Sequence, residues 1–319
     1  MPVLIFLDQS DNAIKKTTPE AISYGAAIAK QLGTTAEGVL LGTVGEDLSV
    51  LGKYGLTKIH QVADDSLNHP DGEVYTKIIA AVVMATGAKV VVFSNNLHGK
   101  AIAPRLSVKL RAGFVAGAIA LPDTAGGFVV KKTVFSGKAF ANISITTDIK
   151  IISLNPNAFP VTETGGTAEV VLFESALVSP RTKVTAVSKI QGEIPLGEAE
   201  RVVSGGRGLK GPENWKMIEE LASLLGAATA CSRPVADAGW RPHHEHVGQT
   251  GLAIAPNLYL AIGISGSIQH LAGVNRSKVI VVINKDPEAP FFKAADYGIV
   301  GDAFEVVPKL IEAVKQLKR

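Results

Sequence analysis

Short apolar runs alternate with amphipathic helical segments in both halves of the chain, and this alternation most limits the possible folds. In the first half, apolar runs occupy 2–8, 36–42 and 89–95, with helix-like segments in the gaps. A run without interior charge, such as 89–95, is typical of a strand that is buried on both faces. Strands that alternate with helices of this length predict βαβ units and a mainly parallel sheet.

Helix signals fill the gaps between these runs. The first helix is predicted to have Thr18 as its N-cap and Pro19 at its first position, and to stop at Gly33. Two further helices are predicted at 74–88 and 100–110.

The pattern changes after residue 127, where short runs follow one another without helices. They predict strands that complete the first sheet, at 128–136, 140–146, 150–155, 169–174 and 183–190. A turn-rich segment at 190–196 then predicts a boundary between domains at 1–190 and 191–319. A length of 319 residues also favours two domains, at roughly 100–200 residues each.

The second half repeats the alternation. Strands are predicted at 201–206, 228–234, 258–265, 278–284 and 297–302, and helices at 212–226, 266–274 and 304–318. The sequence therefore predicts an α/β protein of two doubly wound, Rossmann-like domains.

Charge and cysteine content argue against several functional classes. The net charge is only +3, without a basic stripe, which disfavours a dedicated nucleic-acid-binding protein. Cys231 is the sole cysteine, so no internal disulfide can form and a reducing compartment is expected. The N terminus lacks the basic segment of a signal or transit peptide, and we expect a cytoplasmic protein. The uncharged stretch 246–275 is interrupted by polar residues too often for a membrane span.

Polar residues and glycine turns gather at predicted strand ends in the second half. Open α/β sheets bind ligands at the carboxyl ends of their strands, and helix N termini bind phosphate. The turns at 204–211 and 263–273 lack the spacing of a P-loop or of GxGxxG. On spacing alone, residues 265–270 are equally compatible with a phosphate site and with an ordinary tight turn. The strand-end polar residues are Ser204, Arg207, Ser232, Arg233, Gln249, Thr250, Ser265, Gln269, His270, Asn284 and Asp302.

These residues do not pair a nucleophile with a base, and the chain lacks GxSxG, HExxH and CxxC motifs. They suit the binding of a large, phosphate-bearing cofactor rather than hydrolysis. His243, His244 and His246 could suggest a metal ion. However, three histidines so close together need a distant fourth ligand and no cysteine pair is present, so we expect no metal site.

Four segments of the second half follow one another in a recognisable order: VVSGGRGLKGPENW (202–215), CSRPVADAGW (231–240), VGQTG (247–251) and LYLAIGISGSIQHLAGVNRSKVIVVINKDPEAPFFKAADYGIVGD (258–302). In sequence and order they resemble the electron transfer flavoprotein alpha subunit family. The resemblance is dense over roughly the last 120 residues, and the first 190 fit the family's N-terminal domain in pattern. The loop PHHEH (242–246) is not a family motif, so its residues inherit no role.

The resemblance implies a heterodimer in which the alpha chain holds FAD in its C-terminal domain. The beta subunit closes over the FAD and carries AMP, which the alpha N-terminal domain does not bind. Such a protein is an electron carrier and not an enzyme. It accepts electrons from acyl-CoA or related dehydrogenases, as in fatty acid oxidation. It passes them to a membrane quinone oxidoreductase or another acceptor.

The resemblance also implies roles for individual residues. Arg233 is expected over the flavin ring, where its charge favours negatively charged flavin states. Thr250 is expected to reach the flavin N5 atom and His270 the O2 edge. Ser265 and Gly266 are expected to open a helix that receives the pyrophosphate. The complete set of implied FAD-binding residues is Arg207, Ser232, Arg233, Val247, Gly248, Gln249, Thr250, Ser265, Gly266, Ser267, Ile268, Gln269, His270, Ala303, and Asn284 and Asp302 on the adenosine side.

Two alternatives stay open. The C-terminal fold also resembles the NAD-binding domain of deoxyhypusine synthases, which would imply an NAD-dependent transferase. The VGQTG and SGSIQH segments, and the lack of a lysine nucleophile in the cofactor turns, argue against it. A bifurcating electron transfer flavoprotein, with a second flavin in the beta subunit, is the other alternative, because the deciding residues lie in the partner.

Overall fold

The computed structural model describes residues 1–137, 139–175, 179–186, 194–197 and 199–318. The chain divides into two compact units, Met1–Val187 and Ser188–Arg319. The predicted boundary segment 190–196 lies partly outside the described residues. The domain limits 1–190 and 191–319 therefore stay a prediction.

The first unit is built on a nine-stranded sheet. The strands of this unit are β1 (Val3–Phe6), β2 (Gln9–Ser10), β3 (Ala13–Ile14), β4 (Ala36–Leu41), β5 (Lys58–Val62), β6 (Val90–Ser94), β7 (Gly113–Ala118), β8 (Val129–Val134), β9 (Ala139–Ser144), β10 (Lys150–Leu154) and β11 (Glu169–Leu172). The sheet order is β11-β5-β4-β1-β6-β10-β7-β8-β9, and β2 pairs with β3 in a separate hairpin. Neighbours are parallel except for the antiparallel β7–β8 and β8–β9 pairs.

Helices connect the parallel strands of this unit. They are α1 (Thr18–Gln31), α2 (Gly72–Thr86) and α3 (Leu97–Leu110), with short 3-10 turns at Leu48–Tyr54, Asp65–Asn68 and Phe135–Gly137. The Asp71 carboxylate caps α2 by accepting from two backbone amides, and the Asn96 side chain caps α3 by accepting from the amide of Gly99 at 3.0 Å. Gly87, at φ +69°, ends α2 in the left-handed conformation that favours glycine.

The central strands of the first sheet, such as β1 and β6, are buried on both faces, as their apolar runs predict, whereas β9 and β11 at the two edges are largely exposed. Along β1, Ile5 packs into the core cluster that contains α1 residues, whereas Leu4 and Phe6 pack into the cluster of α2 and α3. Along β6, Val92 packs into the cluster with α1, and Val91 packs into the cluster of α2 and α3. Helices therefore cover both faces of the sheet, which is the doubly wound arrangement.

The second unit contains a five-stranded, fully parallel sheet. Its strands are β12 (Arg201–Gly205), β13 (Ala228–Cys231), β14 (Leu258–Ile262), β15 (Val279–Asn284) and β16 (Tyr297–Val300), and its helices are α4 (Lys216–Leu225), α5 (Arg233–Asp237), α6 (Ile268–Val274) and α7 (Ala303–Leu317). Short 3-10 turns lie at Arg207–Leu209, Pro212–Trp215, His243–Glu245 and Pro290–Ala294. The order β13-β12-β14-β15-β16 reverses direction between β12 and β14, so the switch point of the sheet lies there.

This second sheet also has two buried faces. Val203 and Ile262 pack with α4 and α7, whereas Val202 and Ala261 pack on the other side with Phe291. The structure thus confirms the predicted two-domain α/β fold. No helix in the described part of the chain is long and apolar enough to cross a bilayer.

Three local predictions are wrong. Thr17, not Thr18, is the N-cap of α1, and the Thr18 hydroxyl instead donates to the backbone carbonyl of Asp8 at 3.0 Å. The strand predicted at 228–234 ends at Cys231, because Pro234 belongs to the first turn of α5, where proline is well tolerated. The strand predicted at 183–190 is absent from 183–186, and its remaining residues lie outside the described chain.

Two strands of the first sheet, β5 and β7, were not predicted from the sequence. In β5, His60 and Gln61 interrupt the apolar run and are only partly buried, which weakens the strand signal. In β7, Gly113 and Gly117 do the same, since glycine is a poor strand former. Both strands exist because neighbouring strands pair with them on either side.

A test of this packing uses Gly99, in the first turn of α3. An added Cβ there would lie 1.9 Å from the backbone oxygen of Ser94 at the end of β6, so the helix must move away from the strand. Gly99→Ala should lower the free energy of unfolding by about 1–3 kcal/mol in urea denaturation. Gly126→Ala is the matched control, because nothing lies within 4 Å of its added Cβ. Equal stability of the two variants would contradict the close approach.

Candidate cofactor site at the carboxyl edge of the second sheet

A cavity of about 820 Å³ opens at the carboxyl ends of the second sheet, where the strand order reverses. Its volume lies within the roughly 300–1,000 Å³ that is typical of ligand and cofactor pockets. The lining residues are Arg207, Gly208, Ser232, Arg233, Pro234, Asp237, Ala238, His246, Val247, Gly248, Gln249, Thr250, Gly263, Ile264, Ser265, Ser267, Gln269, His270, Asn284 and Asp286.

The backbone turns after β12 and β14 pack directly on each other at one side of the cavity. The amide of Gly208 donates to the carbonyl of Gly263 at 3.0 Å. A Cβ on Gly206 would lie 2.2 Å from that carbonyl oxygen, and Gly263 has φ +64°. Side chains are therefore excluded from this contact, and the cavity wall here is backbone.

The turn at 247–251 forms a second wall and is fixed from two sides. The amide of Val247 donates to the carbonyl of Cys231 at 3.1 Å, next to α5, and the amide of Gln249 donates to the carbonyl of Gln269 in α6 at 2.7 Å. These bonds hold a turn whose exposed side chains, Gln249 and Thr250, line the cavity.

Helix α6 begins later than the sequence analysis predicted. It starts at Ile268, with Ser267 as the cap that accepts from the amide of His270 at 3.4 Å. The prediction that Ser265 and Gly266 open this helix is wrong, because Gly266 has φ +82° and packs on Phe291. In the described part of the chain, no group accepts from the amides of Gly266, Ser267 or Ile268.

His270 is a buried histidine whose ring is engaged by the protein. Its Nε2 lies 2.8 Å from the hydroxyl of Tyr259, and Phe291 packs edge-on against the ring at a centroid distance of 5.7 Å. Burial lowers the pKa of His270 to about 4, and the positive charge of a protonated His246 would lower it further, while a hydrogen bond to the Val247 backbone acts in the opposite direction. His270 is therefore neutral at pH 7. A ring nitrogen that bonds a carbonyl must carry the proton, which leaves Nε2 to accept from Tyr259.

Arg233 lies at the cavity as half of an exposed ion pair. Its Nε donates to Oδ2 of Asp237 at 3.3 Å, and the side chains are 63% and 54% exposed. A pair this exposed is worth about 0–1 kcal/mol, so Asp237 does not prevent Arg233 from reaching a ligand. The thiol of Cys231 nearby is buried, which raises its pKa to about 12, so it stays protonated.

Most of the residues that the sequence implied for FAD line this cavity. The exceptions are Gly266, Ile268, Asp302 and Ala303. Ile268 is an exposed first residue of α6. The Asp302 carboxylate caps α7 by accepting from the amide of Phe304 at 2.9 Å, and Ala303 is buried at the start of that helix. The FAD contacts themselves, including that of His270 with the flavin O2 edge, stay predictions.

Several lining residues were missed by the sequence analysis. Gly208 and Gly263 belong to turns that had been identified, but their packing on each other depends on the fold. Pro234, Asp237 and Ala238 lie in and after α5, a helix that the sequence did not predict; only Pro234 fell within the strand predicted at 228–234. The remaining missed residues are Ile264, Asp286 and His246, the last of which lies in the loop without a family role.

The histidine-rich loop does not form a metal centre in the described residues. No group of three or more His, Cys, Asp or Glu within that part of the chain could hold a metal ion. His243 and His244 are exposed, whereas His246 is buried against the cavity. The buried Glu245 accepts from the Nε of Arg241 at 2.9–3.0 Å and is committed to that ion pair.

A parallel sheet with a cavity at its switch point, lined in part by polar and charged side chains, is typical of a protein that binds a nucleotide-type cofactor. The electron transfer flavoprotein FAD-binding domain model matches residues 195–275, and the electron transfer flavoprotein domain model matches residues 3–178. The chain belongs to the electron transfer flavoprotein alpha subunit family. Members of this family are electron carriers rather than enzymes that convert a substrate.

Relatives cover nearly the whole chain. The electron transfer flavoprotein subunit alpha of Bacillus subtilis (strain 168) is 36% identical over 323 residues, which cover 99% of this chain and 98% of that protein. The subunit of the same name from Syntrophomonas wolfei is 38% identical over 316 residues, or 98% of each chain. Protein FixB of Clostridium saccharobutylicum is 32% identical, with 99% of this chain and 96% of that protein covered.

The neutral state of His270 predicts an acid-sensitive fold. The unfolded chain takes up a proton near the ordinary pKa of 6.5, whereas the folded chain does so only near 4. Stability should therefore fall as pH drops from about 6.5 to about 4, by about 3 kcal/mol from this group. The measurement is urea denaturation of the full chain across this pH range. In His270→Asn, the free energy of unfolding should lose this part of its dependence on pH. His244→Gln, at an exposed position, should keep it, and an unchanged slope in His270→Asn would contradict the assignment.

Proposed function

We propose that this chain is the FAD-carrying alpha subunit of a heterodimeric electron transfer flavoprotein. It accepts electrons from soluble dehydrogenases, such as the acyl-CoA dehydrogenases of fatty acid oxidation. It passes them to a membrane quinone oxidoreductase or another acceptor. The observation that carries the proposal is the polar cavity at the switch point of the second sheet, most of which is built from the segment 195–275 that matches the FAD-binding domain.

The residues around the cavity fit a phosphate-bearing flavin nucleotide. Arg207 and Arg233 supply positive charge, and the backbone amide of Ser267, which also lines the cavity, has no acceptor in the described chain. Free backbone amides and guanidinium groups are the usual partners of phosphate oxygens in proteins. The backbone wall at the two glycine turns leaves room for a large group to approach closely.

The chain's own residues orient the cofactor and set the charge around it, while bound FAD supplies the one- and two-electron chemistry. The hydroxyl of Thr250 and the side-chain amide of Gln249 can hydrogen-bond the polar edge of a ring. The buried rings of Tyr259 and Phe291 pack against the ring of His270, the one of the three that lines the cavity, and so support it from behind. Because His270 is neutral, the positive charge that the cavity lining offers an electron-rich cofactor comes from Arg207 and Arg233.

A beta subunit is the proposed partner, and it would carry the AMP. The relatives' names, subunit alpha, support a complex with a second subunit. The side chains of Gln249, Thr250, Ser267 and Gln269 line the cavity and yet are exposed, so a bound cofactor would remain partly uncovered. A partner that closes this side would stabilise the bound state by linkage.

The NAD-dependent alternative is not favoured, because both matching family models describe electron transfer flavoprotein domains. The bifurcating alternative differs in flavin content, since its second flavin would lie in the beta subunit. Counting flavins per heterodimer therefore separates the two electron transfer proposals.

The proposal is tested by purifying the chain with its partner subunit. The complex should be yellow and should release one FAD per alpha chain on denaturation, measured by absorbance and by chromatography of the released nucleotide. Two flavins per heterodimer would favour the bifurcating alternative. Recovery of NAD without flavin absorbance would overturn the assignment.

Charge substitutions at the exposed ion pair test the electrostatic role of Arg233. Arg233→Ala should lower the reduction potential of bound FAD, by an energy of about 1 kcal/mol for an exposed charge about 4 Å away. Asp237→Asn should raise the potential, because it removes a negative charge and releases the guanidinium.

Arg233→Lys is the control that keeps the charge without the planar group. The reduction potential of FAD bound to this variant should fall between the potentials in the parent and in Arg233→Ala. The measurement is a redox titration followed by flavin absorbance. Unchanged potentials in both Arg233→Ala and Asp237→Asn would show that the pair does not face the flavin.

A further inference from the structure

His246 is a cavity residue that neither its loop nor the family motifs explain. It is 8% exposed and lines the cavity. Its backbone is fixed on both sides: residue 246 forms a parallel bridge with Cys231, and its carbonyl accepts from the amide of Leu252 at 2.9 Å. The position of the side chain at the cavity is therefore set by the fold rather than by a loose loop.

The imidazole of His246 lies against the turn that carries Gln249 and Thr250. A Cβ added to Gly251 would lie 2.8 Å from its Nδ1, and a Cβ added to Gly248 would lie 3.3 Å from its Nε2. The two glycines of the turn thus leave space for the ring. A larger residue at Gly251 would have to displace the imidazole.

The ring nitrogens of His246 have no hydrogen-bonding partner among the described residues. His270, the other buried histidine of the cavity, instead bonds Tyr259 through Nε2 and the Val247 backbone through its ring. Neither ring nitrogen of His246 is among the buried side-chain atoms of the described residues that lack a partner, so the nitrogens stay accessible from the cavity that His246 lines. A ligand in the cavity can therefore bond them without displacing a protein group.

Charged and titratable groups face His246 from each neighbouring element. They are Arg233 and Asp237 from α5, His243 from the preceding turn and His270 from α6. Burial, followed by the positive charge of Arg233, lowers the pKa of His246, and Asp237 only partly opposes this. At pH 7 the ring is neutral, with one N–H donor and one acceptor nitrogen.

We propose that His246 is a cofactor-binding residue, whose ring nitrogens hydrogen-bond a polar group of FAD that both donates and accepts, such as a hydroxyl. This inference rests on the proposed FAD site. It assigns a binding role to a histidine in the one segment of the cavity wall that departs from the family motifs. Of the two buried histidines, His246 is the one that can bond a ligand without breaking a bond within the protein.

The test uses the full chain, purified with its partner subunit, stripped of FAD and titrated with FAD by flavin fluorescence. His246→Phe keeps a planar ring but removes both nitrogens. It should weaken FAD binding about tenfold, the expected effect of losing a hydrogen bond from a buried site. His246→Asn, which keeps a neutral donor and acceptor, should recover part of the affinity. His244→Phe, at the exposed neighbouring histidine, is the matched control and should bind like the parent.

Hydrogen–deuterium exchange of the amides at 247–252 in the FAD-free protein separates binding from support of the turn. His246→Phe should exchange like the parent, because the ring still fills the space beside Gly248 and Gly251. Weakened binding together with faster exchange would mean that the imidazole only supports the turn, and would overturn the proposal.

If His246→Phe bound FAD as tightly as the parent, the proposal would also be overturned, because the ring nitrogens would then contact only solvent. That result differs from failure of the proposed function, in which the parent itself would bind no FAD. As a second readout, the imidazole ¹⁵N signals that disappear in His246→Phe should shift when the parent binds FAD. Signals that do not move would count against the contact.

Discussion

The candidate site depends on the packing of two backbone turns against each other, at Gly208 after β12 and Gly263 after β14. These strands are neighbours at the point where the sheet reverses its order, so the chain leaves them in opposite directions and opens a crevice. Side chains on the turns would force the strands apart. With glycine at both positions, the crevice keeps a backbone wall, and the polar side chains are carried by the surrounding segments.

Those surrounding segments are linked by main-chain hydrogen bonds rather than by side chains. The turn at 247–251 is bonded to the end of β13 through Val247 and to α6 through Gln249. The approach of Gly273 to Gly248, where an added Cβ would lie 2.5 Å from the Gly248 Cα, brings α6 against the same turn. The side chains that face the cavity are thereby left available for a ligand. Such preorganisation lowers the ordering cost of binding.

The first sheet has a switch point of its own, between β1 and β6, where side chains of the protein bond one another. The buried carboxylate of Asp8, at the end of β1, accepts from Asn96 at 2.6 Å and lies 2.6 Å from Nδ1 of His98. Protein groups thus occupy the position where the second sheet has a cavity. At the corresponding edge of the second sheet, the described residues enclose the cavity of about 820 Å³.

The sequence determined the strand-helix alternation, the two-domain α/β class and most of the polar residues that line the cavity. It could do so because burial on both faces leaves continuous apolar runs, and because ligand-binding groups follow strand ends. Only the tertiary structure decided that α6 starts at Ile268, that β5 and β7 join the sheet, and that Asp302 caps a helix instead of lining the cavity. Neighbouring elements fix these features, and local residue patterns do not record such contacts. The same reason applies to His246, whose backbone is placed at the cavity by its pairing with Cys231 at the end of β13.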